Sequence, residues 1–290
     1  MPLLKVIVLA IVQGLAELLP VSSSAHVVVA EKLMGLDPSS PPMTLLLVML
    51  HTGTMLAVIV YFWPQWRATY FQSSAAFWRA AWLVVLATLC TGVIGGAVIK
   101  AIEKTLFRNV PHAQIEDLFS HLELIAPALA AAGILIVIAG IRARRQPTQT
   151  LSAANDVSPA RAGIIGAVQG LCLPFRGFSR SGATISTAML LGVARSRAET
   201  FSFALAVVLT PPVVVREALR LVQASHAGDG ATGLSSAALM SVVGAVIAFL
   251  AGLLALRWLS RWLEQGRWQL FGIYCLVAAA VVLALHHAGY

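Results

Sequence analysis

Apolar runs alternate with short polar stretches along the whole chain. Six runs are uninterrupted, at residues 43–63, 80–102, 122–141, 198–222, 235–256 and 268–287. Each is close to the roughly 20 residues that cross a hydrocarbon core as an α-helix. Six membrane-crossing helices are therefore expected. Two further apolar regions are interrupted. Residues 3–34 contain Pro20 and the polar run Ser22-Ser23-Ser24, and residues 163–193 contain Pro174, Gly177 and the run Ser179-Arg180-Ser181. Each of these predicts two half-helices joined at a polar break. A break at membrane depth persists only where it is buried in protein or lines a wet cavity.

The interrupted regions also resemble each other. Residues Ala10 to Leu15 (AIVQGL) match Gly166 to Leu171 (GAVQGL) at an offset of 156 residues. The same offset aligns Ser23 with Ser179, Ser24 with Arg180 and Pro20 with Arg176. Each interrupted region is followed by three predicted spans. The chain thus reads as two repeats, about residues 1–141 and 161–290, joined by a polar linker over 142–160. An odd number of crossings per repeat turns the second upside down relative to the first. The expected fold is an all-α polytopic membrane protein, one domain over 1–290. It is built from two inverted-topology repeats, each a re-entrant helical hairpin plus three transmembrane helices. In such folds the functional site lies at the repeat interface.

Composition agrees with lipid as the solvent: only 11% of the 290 residues are charged and mean hydropathy is +0.85. A soluble chain carries about 25% charged residues. The net charge of +8 raises nucleic acid as a partner, but the basic residues are not spread as a binding face. Eleven arginines fall in loops 64–79, 142–162, 194–197 and 257–267, against Asp156 and Glu264. The positive-inside rule places these loops in the cytoplasm and both termini outside. The seven tryptophans sit near span ends, as an aromatic belt does. Cys90, Cys172 and Cys275 are scattered through apolar segments and read as packing residues. The N-terminal apolar stretch lacks a small-residue cleavage site and reads as retained structure.

Ionisable residues inside the apolar regions are costly and default to a functional reading. Glu17, His26, Arg176 and Arg180 all fall at the two breaks. Gln13 and Glu17, four apart, share a helix face. Ser22 is placed to cap the following half-helix, and Ser23 and His26 would leave its first turn in the same direction. The second break supplies Ser179, Arg180, Ser181 and Thr184. Two helix N-termini with free N–H groups beside a guanidinium fork suit a phosphate. A carboxylate next to such a site fits a general base or a metal ligand. The bland alternative is a Glu17–Arg180 ion pair that only ties the repeats together. His51 reads as a histidine bonded to a neighbouring helix. Arg216 and Arg220 read as interface anchors, and Pro211-Pro212 as a break or kink in the span 198–222.

These residues resemble a known family. The segment Gln13 to His26 (QGLAELLPVSSSAH) is similar to the (E/Q)xxxE segment, with its downstream Ser and His, of the undecaprenyl-diphosphate phosphatases of the bacitracin-resistance type. Gly177 to Thr184 (GFSRSGAT) is similar to that family's PGxSRSxxT segment. The resemblance spans nearly the whole chain. It implies a phosphatase of the bacterial plasma membrane that removes the terminal phosphate of undecaprenyl diphosphate, or a similar polyprenyl diphosphate, and so recycles a lipid carrier for cell-wall synthesis. It implies a homodimer, a site opening to the extracytoplasmic side, and a divalent cation such as Mg²⁺ held by Glu17. Carried over, the catalytic residues are Glu17, Ser23, His26 and Arg180. The substrate-binding residues are Gln13, Ser22, Ser24, Arg176, Ser179, Ser181 and Thr184. Ser23, His26 and water all stay open as nucleophile. Gln13 stands at the first acidic position, and Arg176 stands where the family motif has Pro. A flippase for polyprenyl monophosphate is the competing reading.

Overall fold

The computed structural model describes residues 2–37, 40–106, 122–144, 156–226 and 234–288, with the side chains of 41, 106, 213, 216–218, 220–226 and 234–237 outside that description. Arg108, His112, His121, Arg145, Arg216, Arg220 and His226, like residues 145–155 of the linker, lie outside it as well. Ten helices cover the described residues. They are α1 (Leu3–Leu18), α2 (Ser23–Leu33), α3 (Pro41–Thr69), α4 (Ser74–Leu106), α5 (Leu122–Arg144), α6 (Pro159–Cys172), α7 (Arg180–Leu190), α8 (Arg195–His226), α9 (Leu234–Glu264) and α10 (Gln269–His287). All six uninterrupted runs are single helices, and both interrupted runs are pairs of short ones.

Among the described residues, α3, α4, α5, α9 and α10 are long and apolar enough to cross a membrane. The protein is a polytopic helical membrane protein. Its surface is rich in exposed Leu, Val and Ile on these helices, as a lipid-facing surface is. α8 runs unbroken through Pro211 and Pro212, where the sequence suggested a break. Neighbouring groups offset the lost backbone bonds in such membrane helices.

Part of the packing is reciprocal: α1 lies on α9 and α6 lies on α4, while α5 pairs with α10 and α3 with α8. The broad contact of α3 on α9 has only a slight counterpart between α8 and α4. Small residues permit close approach. At the α5–α10 contact, a Cβ on Gly133 would come within 2.9 Å of the Gly272 carbonyl oxygen, and one on Gly272 within 2.6 Å of the Gly133 oxygen. At one end of the molecule the arginine-bearing loops gather. Arg195 donates to the Ala143 and Glu264 carbonyls at 2.7 and 3.3 Å, and Arg79 pairs with Asp156 at 3.5 Å. Two tryptophans depart from the aromatic belt. Trp66 and Trp268 are 6% and 1% exposed. They spend their indole N–H groups on the Thr200 carbonyl and the Ser186 hydroxyl.

Candidate active site

Each break has a local cause. α1 ends at Leu18 because Leu19 precedes a proline and is driven to extended backbone (φ −77°, ψ 152°). The chain then turns at Ser22, whose φ of 67° is the one positive value among described non-glycine residues, and α2 begins at Ser23. In the second hairpin, Pro174 follows the end of α6, and Gly177 takes φ 102°. A Cβ there would be strained and would also press on the Ile125 carbonyl. Ser179 then caps α7, its hydroxyl accepting from the Gly182 N–H at 3.2 Å.

The two breaks grip each other. Ser181 donates to the Leu19 carbonyl at 3.3 Å, and the Gly177 N–H donates to the Ser24 hydroxyl at 3.4 Å. Cys275 of α10 donates to the Pro20 carbonyl at 3.3 Å. Between them lies a cavity of about 250 Å³. Its polar lining is Glu17, Ser22, Ser23, Ser24, Arg176, Ser179, Arg180 and Ser181, and Leu173, Phe175 and Phe178 supply an apolar side. The starts of α2 and α7 both face it, so free N–H groups and two positive dipole ends converge on one space. Phe175 and Leu173 are exposed, so the cavity's apolar flank continues to the outer surface.

Glu17 is the hub. Arg180 donates to its Oε1 at 3.0 Å, while Ser23 and Gln13 donate to its Oε2 at 2.5 and 3.1 Å. Glu17 and Arg180 are 15% and 27% exposed, low enough to be protected from water and high enough to face the cavity. The expected acid, hydroxyl and cation therefore meet. Chemically the cluster offers a carboxylate in contact with a serine hydroxyl, and a guanidinium fork within reach of both.

Other expectations are corrected or shifted. The Ser22 side chain makes no capping bond to α2. Its positive φ turns it away from the helix, and its hydroxyl meets that of Ser24 at 3.2 Å. His26 does not leave α2 alongside Ser23 and does not line the cavity. Its Nδ1 donates to the Ser22 carbonyl and its Nε2 meets the Tyr274 hydroxyl, both at 2.7 Å. Gln13 is buried behind Glu17. Thr184 is fully buried, donating to the Arg180 carbonyl at 2.9 Å and meeting the Ser202 hydroxyl at 2.6 Å. It braces the start of α7 from below.

Four neighbours take parts that the sequence did not assign them. His51 of α3 holds Nε2 3.8 Å from Glu17 Oε2, with Nδ1 donating to Leu47 of its own helix at 2.9 Å. It is thus hydrogen-bonded to its own helix and also reaches a neighbouring one, α1, through Glu17. The signal was present: a mid-span ionisable residue near Gly53, the same criterion that singled out His26. Cys172 lines the cavity and Cys275 holds the first break, so neither is plain packing. Tyr274 carries no sequence signal that separates it from an aromatic in a span.

A family model described as bacitracin resistance protein BacA matches residues 6–281. A protein of Acinetobacter baylyi named undecaprenyl-diphosphatase 2 is 59% identical over 287 residues, covering 98% of each chain. The undecaprenyl-diphosphatase of Gluconacetobacter diazotrophicus is 34% identical over 295 residues, covering 97% of this chain and 96% of its own. That of Rhodopirellula baltica is 31% identical over 284 residues, covering 98% of each.

Proposed function

The chain belongs to the bacitracin resistance protein BacA family, and with that membership we propose that it hydrolyses undecaprenyl diphosphate to undecaprenyl phosphate and inorganic phosphate at the cavity between the two breaks. The observation that carries the reading is the cluster of Glu17, Ser23 and Arg180 where two helix N-termini meet. It supplies an anion cradle, an attacking group and a base in one place. A flippase would need the cradle but not a serine bonded to a carboxylate. In cells the reaction returns the lipid carrier to cell-wall synthesis.

The site residues take these roles. The diphosphate enters with its lipid tail along Leu173 and Phe175. Arg180 leaves Glu17 and turns its fork to the phosphate oxygens, joined by N–H groups at the starts of α2 and α7 and by the hydroxyls of Ser22, Ser24 and Ser179; Ser181 turns its hydroxyl from the Leu19 carbonyl to join them. Ser23 Oγ attacks the terminal phosphorus while Glu17 Oε2 takes its proton. The bridging P–O bond breaks and undecaprenyl phosphate departs with the proton that Glu17 took, leaving Glu17 a carboxylate again. Water, deprotonated by Glu17, then attacks the phosphoserine; the P–Oγ bond breaks, the Ser23 oxygen takes that proton back from Glu17, and inorganic phosphate is released. Gln13 and Thr184 hold Glu17 and Arg180 in place.

The donor set suits a hard cation. It is one carboxylate among serine hydroxyls, and no trio of His, Cys, Asp or Glu gathers among the described residues. Mg²⁺ takes few protein ligands and draws the rest from phosphate oxygens and water. Glu17 would hold it, and the ion would neutralise charge on the diphosphate.

The architecture belongs to the same proposal. α1–α2 and α6–α7 are re-entrant hairpins of two inverted repeats, 1–141 and 161–290, joined by the linker 142–160 in one domain, and α8 is the sixth span. The reciprocal packing of α1 on α9 and α6 on α4 supports the pseudo-two-fold. The gathered arginine loops support a cytoplasmic face at that end, with the site opening outward from a plasma membrane. A homodimer is carried over from the family. Cysteine probes at positions 229 and 290 should label from outside and a probe at 150 should not; the opposite pattern reverses the orientation. Phosphate release from undecaprenyl diphosphate by the purified protein tests the function, and no release with Mg²⁺ present would reject it.

A further inference from the structure

The histidine of the first hairpin is not at the phosphate cavity, and its bonds say what it does instead. Nδ1 of His26 lies 2.7 Å from the Ser22 carbonyl, which can only accept. Nδ1 therefore carries the proton. In the neutral ring Nε2 is then the bare nitrogen, and it accepts from the Tyr274 hydroxyl at 2.7 Å. The rings stack as well, with centroids 5.6 Å apart and planes 12° apart. The chain runs from the Tyr274 phenol, through the imidazole, to the Ser22 carbonyl.

Ser22 is where that chain ends, and Ser22 is the one described non-glycine residue with positive φ. An L-residue holds such a conformation only when its surroundings over-determine it, and such residues concentrate at active sites. The next residue is Ser23, whose hydroxyl is bonded to Glu17. The residue after Tyr274 also takes part: Cys275 holds the Pro20 carbonyl on the other flank of the same turn. α10 thus grips both sides of the turn from outside the two hairpins.

We propose that Tyr274 is a positioning residue of the phosphatase, acting through His26 to hold the strained Ser22 turn that presents Ser23 to Glu17 and phosphorus. His26 is then a strut: its Nδ1–H does the work, and its Nε2 is engaged by Tyr274, not by substrate. This rests on the reading of Ser23 as the attacking group.

His26→Asn separates the roles. An Asn side chain places an amide N–H near the position of Nδ1 and nothing at that of Nε2. Steady-state rates on undecaprenyl diphosphate should show His26→Ala losing about 100-fold or more in kcat, with His26→Asn recovering to within about tenfold of the parent. Tyr274→Phe keeps the ring and removes only the hydroxyl. It should cost about three- to tenfold in kcat, the scale of one neutral hydrogen bond, with KM unchanged. In ¹⁵N-histidine spectra the parent His26 should show the Nδ1-protonated tautomer, and Tyr274→Phe should move it toward a mixture. His26→Asn as inactive as His26→Ala would overturn the proposal, because Nε2 would then be needed for the chemistry. So would a Tyr274→Phe protein with parental kcat and an unchanged His26 signal. Failure of the underlying reading looks different: Ser23→Ala would turn over normally, whatever the His26 variants do.

Discussion

The two hairpins share a backbone plan and divide the chemistry between them. Gln13 and Gln169 occupy equivalent places, as do Gly14 and Gly170. A Cβ on Gly14 would sit 2.8 Å from the Ala248 carbonyl of α9, and one on Gly170 would sit 2.7 Å from the Thr91 carbonyl of α4. Both first arms therefore use glycine to lie flush on a long helix. The functional positions then diverge. The place of Glu17 is Leu173 in the second hairpin, that of Ser24 is Arg180, and that of Pro20 is Arg176. Gln13 donates to the hub carboxylate, whereas Gln169 donates to Thr91 of the neighbouring helix at 3.0 Å. The acid and the attacking hydroxyl come from one side and the cations from the other. A repeated scaffold brings two helix N-termini together, and the asymmetry of its side chains turns a symmetric anion cradle into a directional site.

The largest effects should come from abolishing that division. Arg180→Ala and Glu17→Gln each remove one side of the pair at 3.0 Å. Each should lower kcat by about 100- to 1,000-fold, the scale of losing one preorganised transition-state contact. Arg180→Lys should recover little, because an ammonium cannot reproduce the fork. The double variant should lose scarcely more than either single one, since parts of one catalytic unit are not additive. Phosphate release by folded single variants at the parental rate would reduce the pair to a structural clasp.

The aligned serines offer a second contrast. α2 starts one residue earlier, relative to the repeat, than α7 does. Ser179 is thus a capping residue whose hydroxyl oxygen accepts from the Gly182 N–H, while Ser23 lies inside the first turn with its hydroxyl on Glu17. Ser23→Ala should remove turnover and any acid-stable phosphorylated intermediate. Ser179→Ala should lose a cap, about 1 kcal/mol of stability, and only a few-fold in rate. A thermal melt and a rate assay on both variants distinguish the outcomes, and equal rate losses would erase the contrast.

A smaller effect belongs to His51, the third element around the hub. Its ring faces Glu17 at 3.8 Å with a side chain 41% exposed. A half-exposed contact of this kind is worth at most about 1 kcal/mol, or roughly fivefold. His51→Ala should lower kcat/KM by about that factor, and a loss as large as that of Glu17→Gln would promote it to the catalytic unit.

How much of this was legible in the chain depended on the kind of pattern involved. The helices were readable because membrane spans have a length set by the bilayer. All six runs and both breaks fall where the apolar pattern puts them, although α3 and α9 extend beyond the apolar runs 43–63 and 235–256 as far as Thr69 and Glu264. Glu17 and Arg180 were readable because charge at membrane depth is rare. Directions of side chains were not. His26 sits three residues after Ser23, yet the positive φ at Ser22 and the phenol of Tyr274 draw it elsewhere. A backbone torsion and a contact 248 residues away leave no trace in local spacing. His51 is legible by the rule that finds His26, as a histidine facing a neighbouring helix, but its spacing does not say that the group it faces is Glu17.

The finest test of the asymmetry is Arg176, the repeat equivalent of Pro20. Pro20 does a backbone job: it ends α1 by forcing Leu19 to extended backbone. The second hairpin already has that job done by Pro174 and by Gly177 at φ 102°, which leaves position 176 available for a side chain with another use. Arg176 lines the cavity, so its guanidinium adds positive charge beside the cradle. Charge in that position should act on binding the diphosphate and not on the step at phosphorus. Arg176→Pro should therefore raise KM for undecaprenyl diphosphate by about three- to fivefold, the scale of a partly solvated charge contact, with kcat held within about twofold. The shift should shrink as salt is raised, because a partly exposed charge is screened. A fall in kcat with KM constant would mean instead that Arg176 shapes the turn before α7, and the division of labour between the hairpins would then rest on Arg180 alone.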